Sequence, residues 1–170
     1  HIQDRLRDTG LERVAILDVD VHHGNGTQGI FYRRGDVLTV SIHGDPTSFY
    51  PFFTGYADEI GAGPGRGANL NLPLARGTGD DEFLATLDHA LARIAEWSPD
   101  AVVIALGLDA SEKDPLAFLA VTTAGFEAIG RRLGGTDWPT LLVQEGGYIS
   151  DILGDTLAAV LKGSEPARGG

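Results

Sequence analysis

The stretch Val14-Ala15-Ile16-Leu17-Asp18-Val19-Asp20-Val21-His22-His23-Gly24-Asn25-Gly26-Thr27 constrains this chain more than any other. It opens as an apolar run rich in branched residues, the pattern of a parallel strand buried on both faces. It closes in polar groups. Asp18, Asp20 and His22 are spaced two apart, so an extended backbone projects them to one side. Three ligand-type side chains then crowd the carboxyl end of one strand, the edge at which open α/β sheets place their sites. Two carboxylates buried side by side are costly unless a cation neutralises them. Two carboxylates and an imidazole suit a divalent transition metal, zinc above all. A solvated strand end would account for a single aspartate but not for the whole run.

Composition narrows the setting. A chain of 170 residues is long enough for one domain with a sizeable core. A net charge of −11 argues against a nucleic-acid surface and is compatible with a cationic substrate. The chain has no cysteine, so disulfides and thiolate metal sites are excluded, and any metal must be held by His, Asp or Glu. No apolar run reaches membrane-spanning length and no signal peptide opens the chain, so a cytoplasmic protein is expected. The chain opens on His1 and contains no methionine. His1 to Leu11 reads as the last turns of a helix ending at Gly10, so a fragment is expected.

Strands alternate with helices along the chain, which predicts a parallel sheet with helices on both faces. Gly24–Arg34 reads as a short helix or turn, and Asp36–His43 as a second strand ending in Ser41, His43 and Asp45. A long loop over residues 44–67 carries the aromatic residues Phe49, Tyr50, Phe52, Phe53 and Tyr56, and loops of that length are functional or mobile. Leu70–Leu74 is a short strand ended by Pro73. Gly79–Trp97 is an amphipathic helix with Asp80 as N-cap. Ala101–Leu108 is a buried strand ending at Asp109, and Thr122–Leu133 a threonine-capped helix. Thr140–Val143 is a last strand, followed by a helix that Ser150 caps and that runs through Lys162. Residues 1–163 form the α/β unit and 164–170 a flexible tail.

Four segments together resemble the histone deacetylase superfamily, which has the arginase–deacetylase fold. They are the Asp18–Gly26 run, Ser41-Ile42-His43-Gly44-Asp45-Pro46, Leu106-Gly107-Leu108-Asp109 with Glu112-Lys113-Asp114-Pro115, and Glu145-Gly146-Gly147-Tyr148. Within that family the chain is most similar to the acetylpolyamine amidohydrolases. The resemblance covers the C-terminal portion of the family's domain. The portion preceding it supplies a tandem histidine pair that serves as the general base.

The resemblance implies a zinc-dependent amidohydrolase in which water activated at the metal attacks the acetyl carbonyl of an acetylated amine, of acetylpolyamine or acetyl-lysine type. Asp109 follows a strand and precedes a loop, so it can meet Asp20 and His22 there; three protein ligands leave a position open for catalysis. By resemblance, Tyr148 stabilises the oxyanion. Asp18, Ser41 and Ile42, with the backbone of Asp20 and His22, would hold potassium, and the backbone of Phe31, Arg34 and Val37 a second monovalent ion. Tyr50, Gly107, Gly146 and Gly147 would contact substrate, although Tyr50 equally reads as an aromatic that packs its own loop. Asn25 would orient a histidine of the preceding pair. His23 reads as a satisfied structural histidine, His43 similarly, and His89 as solvated.

Two other readings stand beside this one. A catalytically incomplete metal-binding fragment or interaction module fits the absence of a base in these residues. An arginase-like ureohydrolase would need more carboxylates around His22. An isolated C-terminal portion is expected to bare apolar surface on Val14–Leu17 and an unpaired sheet edge, and so to self-associate or to pair with the preceding half.

Overall fold

A computed structural model describes residues 10–165 of the chain. Five strands form one parallel sheet: β1 (Val14–Asp18), β2 (Val37–Gly44), β3 (Asn69–Leu74), β4 (Ala101–Leu106) and β5 (Thr140–Gln144), in the order β3-β2-β1-β4-β5. Four helices accompany them: α1 (Asn25–Phe31), α2 (Asp80–Trp97), α3 (Thr123–Gly134) and α4 (Leu153–Ser164). The chain lays β1, β2 and β3 outward in one direction, then returns through α2 to place β4 on the other side of β1. With right-handed crossovers α1 and α2 lie on opposite faces.

The strands are buried because branched and apolar side chains fill both of their faces. Leu17, Leu38, Ile42, Ile104 and Leu106 are fully buried, and Phe83, Leu87 and Ile94 of α2 and Phe126 and Ile129 of α3 close over them. Each such side chain contributes roughly 1.5–3 kcal/mol on burial. The register matches Asp18 with Ser41 on one side and with Ala105 on the other. The carboxyl ends of β1, β2, β4 and β5 therefore lie along one edge.

Several local expectations change. Val14, Ala15 and Leu17 are buried, not bared. The exposed strand is β5, where Leu141 is 47% exposed and, among the described residues, one edge has no partner strand. Pro73 does not end its strand. It pairs in register with His43 on the outermost strand β3, where a missing N–H costs no ladder bond. Gly79, not Asp80, is the N-cap of α2; Asp80 instead accepts hydrogen bonds from the Thr122 amide and hydroxyl. Thr122 caps α3 by accepting from the Gly125 amide, as its sequence predicts. Ser150 does not cap α4, which starts after Ile152 and runs through Gly163 to Ser164, past the predicted boundary. The expected helix over residues 1–9 and the end of the tail, 166–170, lie outside the described residues.

Candidate metal centre

β1 stops at Asp18, and the backbone bends through Asp20, Val21 and His22. Strict alternation therefore does not carry Asp18 to the same point as its neighbours. Its Oδ1 accepts from the Asp20 amide at 3.0 Å. Asp20 and His22 turn instead toward the start of the β4–α3 connection, where Asp109 follows the strand. The sheet order changes direction here, between β1 and β4, and open α/β sheets place ligand sites at such a point.

One ligand atom from each of Asp20, His22 and Asp109 lies within 4.8 Å of the others. His22 Nδ1 is 3.0 Å from Asp20 Oδ1 and 3.2 Å from Asp109 Oδ2. Backbone amides fix both carboxylates. Asp20 Oδ1 accepts from the His22 amide and Oδ2 from the Gly146 amide at 2.9 Å, and Asp109 Oδ1 accepts from the Val21 amide at 2.9 Å. Asp109 is 1% exposed, and its Oδ2 has no hydrogen-bond donor of acceptable geometry; the His22 approach is an ion-pair contact alone. Two glycines keep the space around these carboxylates. A Cβ on Gly107 would strike Asp20, and one on Gly146 would strike both Asp20 and Asp109.

The electrostatics follow from this crowding. The close carboxylates of Asp109 and Asp20 raise the His22 pKa to about 10 despite partial burial. Burial raises the Asp109 pKa. Burial also opposes ionisation of Asp20, but hydrogen bonds from His22 and Gly146 hold its pKa below the usual value. Burial, reinforced by the charges of Asp20, Glu145 and Asp109, raises the Asp18 pKa to about 8. An imidazole nitrogen and two carboxylates, one of them with a buried oxygen that lacks a donor, form a donor set that fits a divalent cation.

Phe49 stacks on the His22 ring with centroids 5.1 Å apart, and Tyr50 meets it edge-on at 6.2 Å. Tyr50 is 60% exposed and also meets Phe52 of its own loop edge-on at 6.4 Å. A cavity of about 230 Å³ borders Asp18, Asp20, His22, His23, Gly24 and Glu145, among others.

A histone deacetylase domain matches residues 2–164 of the chain. The chain belongs to the histone deacetylase family. It is 52% identical over 160 residues to acetylpolyamine amidohydrolase 1 of Pseudomonas aeruginosa, covering 94% of this chain and 46% of that protein. It is 46% identical over 159 residues to the acetylpolyamine amidohydrolase of Mycoplana ramosa, covering 94% of this chain and 47% of the relative. A crystal structure of an acetylpolyamine aminohydrolase from Burkholderia pseudomallei superposes with a TM-score of 0.91 at 46% identity, covering 94% of this chain and 47% of that one. The chain thus spans about half the length of the curated relatives it matches, and its sheet is a portion of the arginase–deacetylase fold.

The family residues expected from the sequence fall at different distances from the cluster. Tyr148 is 52% exposed beyond Gly147, whose φ of +137° favours glycine. Desolvation and the charges of Asp109, Asp20 and Asp114 raise the Tyr148 pKa. Ser41 Oγ is occupied by His43 Nδ1 at 2.8 Å and by the Gly24 amide at 3.4 Å, and Ile42 is fully buried within β2. The Phe31 carbonyl accepts from the Arg34 amide, while Val37 opens β2. Asn25 is exposed at the start of α1, and His89 is exposed on α2.

His23 is only half satisfied. Its Nε2 meets Gln28 Oε1 at 3.1 Å, but its buried Nδ1 has no partner. His43 is satisfied on both nitrogens, by Ser41 and by the Gly55 carbonyl. Sequence reasoning missed a buried polar group formed by Gln28, Glu59, Asn69 and Asn71. One signal was available: Asn69 and Asn71 alternate along a strand and so share a face.

Among the described residues no helix is long and apolar enough to cross a membrane.

Proposed function

We propose that this chain is the metal-bearing portion of a zinc-dependent amidohydrolase that removes acetyl groups from small acetylated amines. The observation that carries the reading is the convergence of Asp20, His22 and Asp109 on one point, with Asp109 Oδ2 buried and without a donor. Names of relatives at 46–52% identity support the acetylpolyamine class over acetyl-lysine.

A bound zinc ion supplies Lewis acidity toward an amide carbonyl and toward water. The remaining roles belong to side chains. Asp20, His22 and Asp109 would hold the ion. Tyr148 carries its proton at neutral pH like any tyrosine, and desolvation and neighbouring carboxylates raise its pKa further, so its hydroxyl can donate to the substrate carbonyl oxygen as charge develops there. Phe49 and Tyr50 wall the His22 side with apolar rings, and Gly107, Gly146 and Gly147 leave backbone-lined room for the acyl group. Asp18, Ser41 and Ile42, with the Asp20 and His22 carbonyls, would hold potassium; a carboxylate buried among acidic neighbours is stabilised by such a cation. The Phe31, Arg34 and Val37 carbonyls would form the second monovalent site, and Asn25 would orient a base histidine outside these residues.

A metal-binding module without turnover is the second reading, and His23 favours it for these residues alone. Its Nε2 is engaged by Gln28 and its ring is buried, so it is not a solvent-facing base at the cluster. The test is zinc content together with acetate release from an acetylated diamine. Asp109→Ala should abolish both in a chain joined to the remaining portion of the domain. Normal zinc content in that variant overturns the site assignment. Zinc binding without acetate release by the joined chain overturns the hydrolytic reading.

A further inference from the structure

The bend that carries Asp20 and His22 lies beyond the end of β1. Backbone bonds from the Val19 amide to Ala105 and from the Gly44 amide to Val21 still tie its start to β4 and β2, but past Val21 it relies on side chains. Support comes from a buried polar group. Glu59, in the loop between β2 and β3, accepts through Oε2 from Gln28 Nε2 at 2.6 Å, from the Gly55 amide at 2.9 Å, and more weakly from Thr54 and Asn71 at 3.3 Å. Gln28, on α1, accepts through Oε1 from Asn69 Nδ2 at 2.9 Å and from Asn71 Nδ2 at 2.8 Å. Two amide donors therefore converge on Gln28 Oε1, and an anion faces its Nε2. Either fact alone would set the orientation of the Gln28 amide; together they forbid the flip.

That orientation reaches the metal bend. The Gln28 Oε1 that meets His23 Nε2 at 3.1 Å can only accept, so His23 carries its proton on Nε2. The ring of the residue next to His22 is thereby fixed in tautomer and in plane. A second tie reinforces it: the His23 ring packs on His43 at 4.7 Å, and His43 Nε2 is held by the Gly55 carbonyl of the same loop.

We propose that Glu59, acting through Gln28 and His23, is a positioning residue for the Asp20–His22 metal bend, so that the loop between β2 and β3 sets metal affinity from outside the ligand shell. This rests on the metal reading above. Partners of this outer kind typically alter affinity by roughly 10- to 100-fold.

The test measures zinc affinity by competition with a chromophoric chelator, and the visible absorption bands of the cobalt(II)-loaded chain. Gln28→Glu sets two carboxylates against each other and should weaken zinc by at least about tenfold and shift the cobalt bands. Glu59→Gln should do the same to a smaller degree. The combined exchange, Gln28→Glu with Glu59→Gln, restores an amide–carboxylate pair and should recover most of the loss, even where a single variant unfolds. Single variants with unchanged zinc affinity and unchanged cobalt bands overturn the proposal, even if they melt earlier. So does a combined variant no better than the worse single one. A wild-type chain that binds neither metal overturns the metal reading instead, and this inference with it.

Discussion

The Gly146 amide donates to Asp20 Oδ2 across 126 residues of sequence, at 2.9 Å. The last strand's exit loop thus grips the carboxylate that follows the first strand. The same glycine has no room for a side chain, because a Cβ there would strike both metal carboxylates. Gly146→Ala should therefore weaken zinc by roughly 10- to 100-fold, which competition with a chelator would measure. Unchanged affinity would remove Gly146 from the site.

Zinc uptake should expel a proton. In the metal-free chain the His22 pKa is about 10, whereas ligation requires neutral imidazole. At pH 7 His22 is protonated, so binding releases about one proton and affinity rises with pH up to about 10. The sign for stability is the reverse. A pKa raised above the unfolded value of 6.5 stabilises the metal-free fold fully below that pH, and the contribution is lost as pH climbs through 10. Calorimetric titration with zinc in buffers of different ionisation enthalpy reads the proton count directly; a count of zero would refute the assignment.

His43 should make the fold acid-sensitive. Burial lowers its pKa from 6.5 to about 4. The unfolded chain binds this proton more readily, so stability falls as pH drops from 6.5 toward 4, by on the order of 3 kcal/mol. Glu59, with a pKa held below 4.5 by its donors despite burial, adds a further loss below that pH. Urea unfolding between pH 7.5 and 4 checks this, and a flat profile would contradict it.

Tyr148→Phe, in a chain carrying the remaining portion of the domain, should lower kcat by ~10²–10³ with zinc content unchanged. The lost hydrogen bond acts on charge present only in the transition state, so KM should move little. Steady-state kinetics on an acetylated diamine decides this.

The 170-residue chain should associate with itself through β5. That strand offers an unpaired edge among the described residues and a half-exposed Leu141. Sedimentation velocity over a range of concentrations should show larger species, and Leu141→Lys should reduce them. A concentration-independent monomer would count against it.

The parts of this molecule legible in its sequence are those where one residue type repeats at one spacing. Val14–Leu17 and Ala101–Leu106 are continuous apolar runs, so their burial as central strands was readable. Asp20, His22 and Asp109 were readable as one cluster because each follows such a run. Which aspartate would turn away was not, since the answer depends on a backbone bend after Asp18 that alternation cannot foresee. Asp80 and Ser150 looked like caps because capping chemistry is local, yet Asp80 found a partner in Thr122, 42 residues away. The pairing of Gln28 with Glu59 spans 31 residues and leaves no periodic trace.

The distance between the metal ligands along the chain has a consequence for biosynthesis. Val21, beside two of the ligands, meets Asp109 across 88 residues, and Gly146 comes later still. A nascent chain emerges from its amino end, and domains assemble in that order. Asp20 and His22 must therefore wait, without Asp109 and Gly146, until most of the sheet has been translated. If the cluster holds zinc as proposed, metal capture is a late step in the life of this polypeptide, and the free zinc at that moment, not during early elongation, decides what is loaded.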